Sequence, residues 1–89
     1  MHVMFEIYLA PGATGEGMFT QETLDDTMAQ MMSPEDAKAV GFDGLPSPPE
    51  GVRSVFVVVA KRDERRIHNA LEASPQAAQF RVHPVDIDL

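Results

Sequence analysis

Apolar and polar residues alternate from the start of the chain. Val3, Phe5, Ile7 and Leu9 fall on one parity, and His2, Met4, Glu6 and Tyr8 on the other. A period of two predicts a strand with two different faces. Pro11-Gly12 and the cluster Gly15-Glu16-Gly17 end it in a loop. From Thr20 the period lengthens. Leu24, Met28, Met31 and Met32 stand at i, i+4, i+7 and i+8, which predicts one apolar face of a helix packed as core. Thr20 is its expected N-cap, with Glu22 in the first turn.

Ser33-Pro34-Glu35-Asp36 has the order of a second helix start, a Ser cap followed by Pro and two acids. Ala37 and Val40 face inward in this short helix, and Gly41 stops it. Residues 43–51 carry three prolines and two glycines and read as a stiff connection. Arg53 to Ala60 is the strongest strand signal. Val55, Phe56, Val57, Val58 and Val59 run without a polar interruption, as in a central strand buried on both faces. Asp63 is placed to cap the next helix, whose inward stripe is Ile67, Ala70 and Leu71, and Ser74-Pro75 ends it. Phe80, Val82 and Pro84 then alternate with Arg81, His83 and Val85 in a last strand. Pro84, which has no amide hydrogen, points to an edge or to the strand's end.

The predicted order β, α, short α, β, α, β makes two packed βα halves. It implies a single α+β domain over residues 1–89, a ferredoxin-like sandwich with a three- or four-stranded, mainly antiparallel sheet and helices on one face. The stretches Pro49-Glu50-Gly51-Val52, Val55-Phe56-Val57-Val58-Val59 and Phe80-Arg81-Val82-His83-Pro84-Val85 resemble the C-terminal half of small dimeric ferredoxin-like domains, among them the dimeric α+β barrel proteins and the PII-like regulators. The resemblance implies that fold and dimerisation through the open sheet face. Those families pair a second strand with the third in a hairpin. Here the proline loop takes that place, so either a short strand lies near Gly41 to Leu45 or the sheet has three strands.

Composition narrows the partners. At 89 residues with no cysteine, the chain has a small core and no disulfide or thiolate zinc site to brace it, which favours a homodimer. The absence of cysteine and of a basic segment ahead of an apolar run fits a cytoplasmic location, and the longest apolar run, Val55 to Ala60, is too short to cross a membrane. Fourteen acidic residues against seven basic give a net charge of −7, which repels nucleic acid and anionic lipid. Lys61, Arg62, Arg65 and Arg66 crowd one helix start among Asp63 and Glu64 and read as a solvated, salt-bridged face.

Candidate chemistry gathers on the even face of the first strand. Gly12, Gly15 and Gly17 have neither the spacing nor the following Lys of a phosphate loop, and no Ser sits in a nucleophile elbow. His2, Met4, Glu6 and Tyr8 share a face. If the last strand pairs antiparallel with the first, Arg81, His83 and Val85 join them. The strand between then adds either Phe56 and Val58 or Val55, Val57 and Val59. Met4, Tyr8, Phe56, Val58, Arg81 and His83 are the expected ligand-contacting residues, an apolar floor with a few convergent polar groups. His83 or His2 would be the general base, Glu6 its orienter, and Tyr8 or Arg81 the donor to a developing oxyanion. No cofactor is expected, and no spacing demands a metal on His2, His83 and Glu6. His68 reads as a surface residue.

The expected function is a homo-oligomeric binding or regulatory module that covers this face by dimerising and can hold a small apolar ligand there. The alternatives are a small cofactor-independent enzyme of the dimeric α+β barrel kind and an accessory subunit that docks a larger protein on its Met stripe or proline loop.

Overall fold

A computed structural model describes residues 1–39 and 51–85. Strand β1 (His2–Leu9) is followed by α1 (Gln21–Thr27), β2 (Gln30–Met32) and α2 (Pro34–Ala39). Then come β3 (Ser54–Ala60), a 3-10 turn (Lys61–Asp63), α3 (Glu64–Ala73) and β4 (Ala77–Val85). The four strands form one sheet in the order β2-β3-β1-β4, and every neighbouring pair is antiparallel. This is the ferredoxin-like α+β arrangement. Val40, Gly41 and the proline loop through Glu50, and with them the strand considered for Gly41 to Leu45, lie outside the described residues. The second strand stands earlier, at Gln30–Met32.

The two central strands carry the apolar sequence, as their patterning requires. Val3, Phe5, Ile7 and Leu9 of β1 pack with Val57 and Val59 of β3, with Ile67 and Leu71 of α3, and with Met18 and Phe19. Leu24 of α1 and Phe80 of β4 close the margin of this core, where the Phe5 and Phe80 rings lie 6.0 Å apart. Burial of a side chain of this size contributes about 1.5–3 kcal/mol. Pro84 lies on β4, an edge strand, as its missing donor demands. The loop after β1 is tied down by Gln76, which accepts from the Gly15 amide at 3.0 Å and donates to the Glu16 carbonyl at 2.8 Å. Gly15 itself sits at φ +87, where a side chain would be strained and would meet Val55 and Leu9.

The opposite face is not left open. Met4, Phe56 and Val58 are buried with Ala37 of α2, so this short helix covers sheet that α1 and α3 do not. The two-sided apolar strand β3 is thereby buried within one chain.

The caps of α1 and α2 stand where the sequence put them. Thr20 accepts from the Thr23 amide at 3.1 Å, and Ser33 from the Asp36 amide at 3.2 Å. The methionine stripe does not exist as a helix face. α1 ends at Thr27, whose hydroxyl donates to the Thr23 carbonyl at 2.7 Å and accepts from the Ala29 amide at 3.3 Å. Met28 then turns left-handed at φ 55 and is 79% exposed. Met31 and Met32 pair with Val57 and Phe56 in β2. The apparent helical spacing therefore spans a helix end, a turn and a strand. Asp63 stands at the N-cap position of α3 without making a side-chain cap bond. It bonds Arg62 instead, and with Lys61–Glu64 and Arg66–Asp26 this makes the basic cluster a salt-bridged face.

Two substitutions read this packing in urea unfolding. Leu71→Ala leaves a cavity under α3 and is expected to cost about 2–5 kcal/mol. Met28→Gly relieves a left-handed residue at a helix end and is expected to raise stability, and with it the midpoint, by up to about 1 kcal/mol of unfolding free energy. If Met28 were core, as a continuous helix would make it, the second change would destabilise strongly.

Candidate functional site

Register places the site. Glu6 is the partner of Phe56 on one side and of Arg81 on the other, Met4 of Val58 and His83, and Tyr8 of Ser54 and Gln79. Partners across a ladder share a face, so Phe56 and Val58 are the β3 residues beneath the candidate cluster, rather than Val55, Val57 and Val59. Backbone bonds agree with this register. The Leu9 amide donates to the Arg53 carbonyl and the Lys61 amide to the Met1 carbonyl, so odd residues of β1 bond toward β3 and even ones toward β4.

Glu6 is the centre of the face. Its side chain is 0% exposed, and each carboxyl oxygen has a partner. The Tyr8 hydroxyl donates to Oε2 at 3.0 Å, and His83 Nε2 lies 3.0 Å from Oε1. A carboxyl group removed from water requires such partners, because leaving it unanswered costs far more than a hydrogen bond returns. His83 is 29% exposed at its side chain, so its ring reaches from the buried acid toward solvent. The Arg81 guanidinium carbon lies 5.8 Å from the Tyr8 ring centroid, within cation–π range. Four of the expected site residues, Glu6, Tyr8, Arg81 and His83, are thus brought together. Met4, Phe56 and Val58 are present as a floor packed with Ala37, and Val58 also lines the pocket beside His2.

His2 shares the face by parity, two residues before Met4, the cross-strand partner of His83. It pairs with Ala60 and Val85 at the other end of β1, about 20 Å along the strand from Tyr8 at ~3.3 Å per residue. It lines a separate pocket with Thr27, Gln30 and Arg62. Among the described residues no three His, Asp or Glu side chains converge as a metal site. His68 sits edge-on to Phe80 at 5.0 Å, with its Nδ1 3.7 Å from Glu72.

A groove of about 480 Å³ opens at the Tyr8 end of the sheet. Tyr8, Leu9, Ala13 and Val52 give it a mainly apolar lining, and Arg53 and Gln79 lie on its wall. Its volume is in the range of small-molecule sites. The sequence did not reveal this groove, because it is made by the β1 exit loop, the entry to β3 and the start of β4. Only Tyr8 marks it among the expected residues. The Ser54 hydroxyl, on the strand position opposite Tyr8, is buried with no protein partner among the described residues, as is His2 Nδ1. Neither had a sequence signal beyond its parity.

Comparison with protein-family models, with curated proteins and with solved structures gave no match.

Burial raises the Tyr8 phenol above its usual range; the hydrogen bond to Glu6 and that residue's charge raise it further, and Arg81 pulls it back. The fold therefore favours the neutral phenol. The resulting stability is fully present below the unfolded value of about 10 and is lost as pH rises through the folded value. Tyr8 is the only tyrosine and there is no tryptophan, so tyrosinate absorbance reports this residue alone. The folded protein is expected to ionise at higher pH than the urea-unfolded chain. Glu6→Gln should lower the folded midpoint and Arg81→Gln should raise it. Coincident folded and unfolded curves would mean that the phenol is neither buried nor bonded to Glu6.

Proposed function

We propose that this chain is a small-molecule-binding module whose ligand lies in the groove at the Tyr8 end of the sheet. The observation that carries the reading is the position of Tyr8. One residue forms part of the groove wall and also bonds the buried Glu6 carboxyl, which in turn meets His83. The groove's apolar lining suits a ligand with an apolar body. Its few polar groups, at Tyr8, Arg53 and Gln79, suit one with a single polar end. Self-association as a homodimer belongs to the same proposal and rests on the small size of a core without disulfide or thiolate zinc support. The likeness to the dimeric α+β barrels belongs to it as well.

A second reading is favoured by a different observation, the 3.0 Å contact between His83 Nε2 and the fully buried Glu6. A carboxylate that fixes one imidazole nitrogen leaves the other nitrogen to take a proton. On this reading the module is a cofactor-independent enzyme with His83 as general base, Glu6 as the group that positions it and Tyr8 as a neighbouring donor. The accessory-subunit reading loses its methionine stripe to the fold.

Native mass spectrometry of the protein as purified tests the main proposal. The expected result is an even multiple of the chain mass carrying a ligand, with the ligand lost from Ala78→Phe, which fills the groove wall. A bare species that binds nothing from a small-molecule screen would overturn it. The two readings part at His83→Ala. A binding module keeps its ligand unchanged in the variant and the parent, whereas an enzyme converts the ligand in the parent and stops in the variant.

A further inference from the structure

Among the described residues the groove's lining includes two ionisable side chains, Arg53 and Tyr8, and no Asp or Glu. This stands out on a chain with fourteen acidic residues and a net charge of −7, where a random patch of surface carries carboxylates. The Tyr8 phenol is favoured in its neutral form by burial and by Glu6, so among the described lining residues Arg53 carries the charge. A second guanidinium, Arg81, stands over the Tyr8 ring and adds to the positive potential at that end. Beside these charges the walls are apolar, built from Leu9, Ala13 and Val52.

From this arrangement we infer that the ligand is a small organic acid, with an aliphatic or aromatic body against the apolar wall and its carboxylate on Arg53. The inference deepens the binding reading above and rests on the groove being the site. A guanidinium fork matches a carboxylate with two parallel hydrogen bonds. A pocket walled by apolar side chains strengthens that pairing over its value in water. A cationic ligand would meet the like charge of Arg53 and, among the described lining residues, no carboxylate. Gln79, the cross-strand partner of Tyr8, is a further polar residue of the lining.

The chain carries its own reporter for this site. Tyr8 is the only tyrosine and no tryptophan is present, so intrinsic fluorescence reads the groove wall directly. The experiment titrates the full-length protein with phenylacetate and hexanoate, and with phenylacetamide and hexanamide as neutral isosteres. Backbone amide shifts of Gly12, Ala13 and Gly51 give the location independently. Saturable quenching by the acids is expected, with the amides about tenfold weaker or more, since losing a charge-assisted pair costs at least that. Arg53→Gln is expected to weaken the acids by a similar factor and leave the amides unmoved. Arg62→Gln makes the same change in net charge at the far end of β1 and is expected to change neither. Equal affinity for acids and amides, with shifts at the groove amides, would overturn the acid assignment and leave the groove standing. An equal loss in Arg53→Gln and Arg62→Gln would also overturn it, because the attraction would then come from net charge. No saturable response to any of the four compounds would overturn both the assignment and the groove as the binding site.

Discussion

A carboxyl group placed where water cannot reach it sets the terms for everything around it. Glu6 sits at the middle of β1, with a fully buried side chain, between Phe56 on β3 and Arg81 on β4. Its burial is tolerable only because Tyr8 and His83 each come within 3.0 Å of one of its oxygens. That requirement fixes the register of β4 against β1. A slip of one residue would turn His83 to the other face and put Pro84 or Val82 where the donor is needed. It also fixes the rotamer of Tyr8, whose ring then forms the wall of the groove. One buried acid thus links the pairing of the edge strand to the one aromatic residue among the described residues of that groove.

The same strand carries the fold. Its odd residues build the larger core under α1 and α3, and its even residues lie over Phe56 and Val58 beneath α2. The two faces are unequal in chemistry. The odd face is a continuous apolar core. The even face mixes an apolar floor with a polar line running from Tyr8 through Glu6 to a partly exposed His83. Stability comes chiefly from the first and specific chemistry from the second, which is a common division in a sheet with helices mainly on one side.

Much of this was legible in the sequence. Period-two alternation named both faces of β1, the continuous run from Val55 to Val59 named the interior strand, and parity placed Arg81 and His83 beside Glu6. The caps Thr20 and Ser33 were legible because a capping side chain is a local signal. What failed did so for physical reasons. Met28, Met31 and Met32 share a helical spacing by coincidence, and no residue type between them announces that the helix ends at Thr27. A three-residue edge strand such as Gln30–Met32 is too short to show a period. Ala37 was legible as an inward residue and is buried, but nothing in an alanine says that it meets Met4, Phe56 and Val58 on the even face of the sheet. The groove escaped notice because its walls come from three segments distant in sequence, which only the closed sheet brings together.

The most direct test of this account is the coupling energy between Glu6 and His83, from a double-mutant cycle of Glu6→Ala and His83→Ala in urea unfolding. If the buried acid depends on His83 as described, the two changes are strongly non-additive, with a coupling of about 1–3 kcal/mol. Effects that add to within about 0.5 kcal/mol, the behaviour of residues that do not touch, would contradict it, and the site built around Glu6 would fall with it.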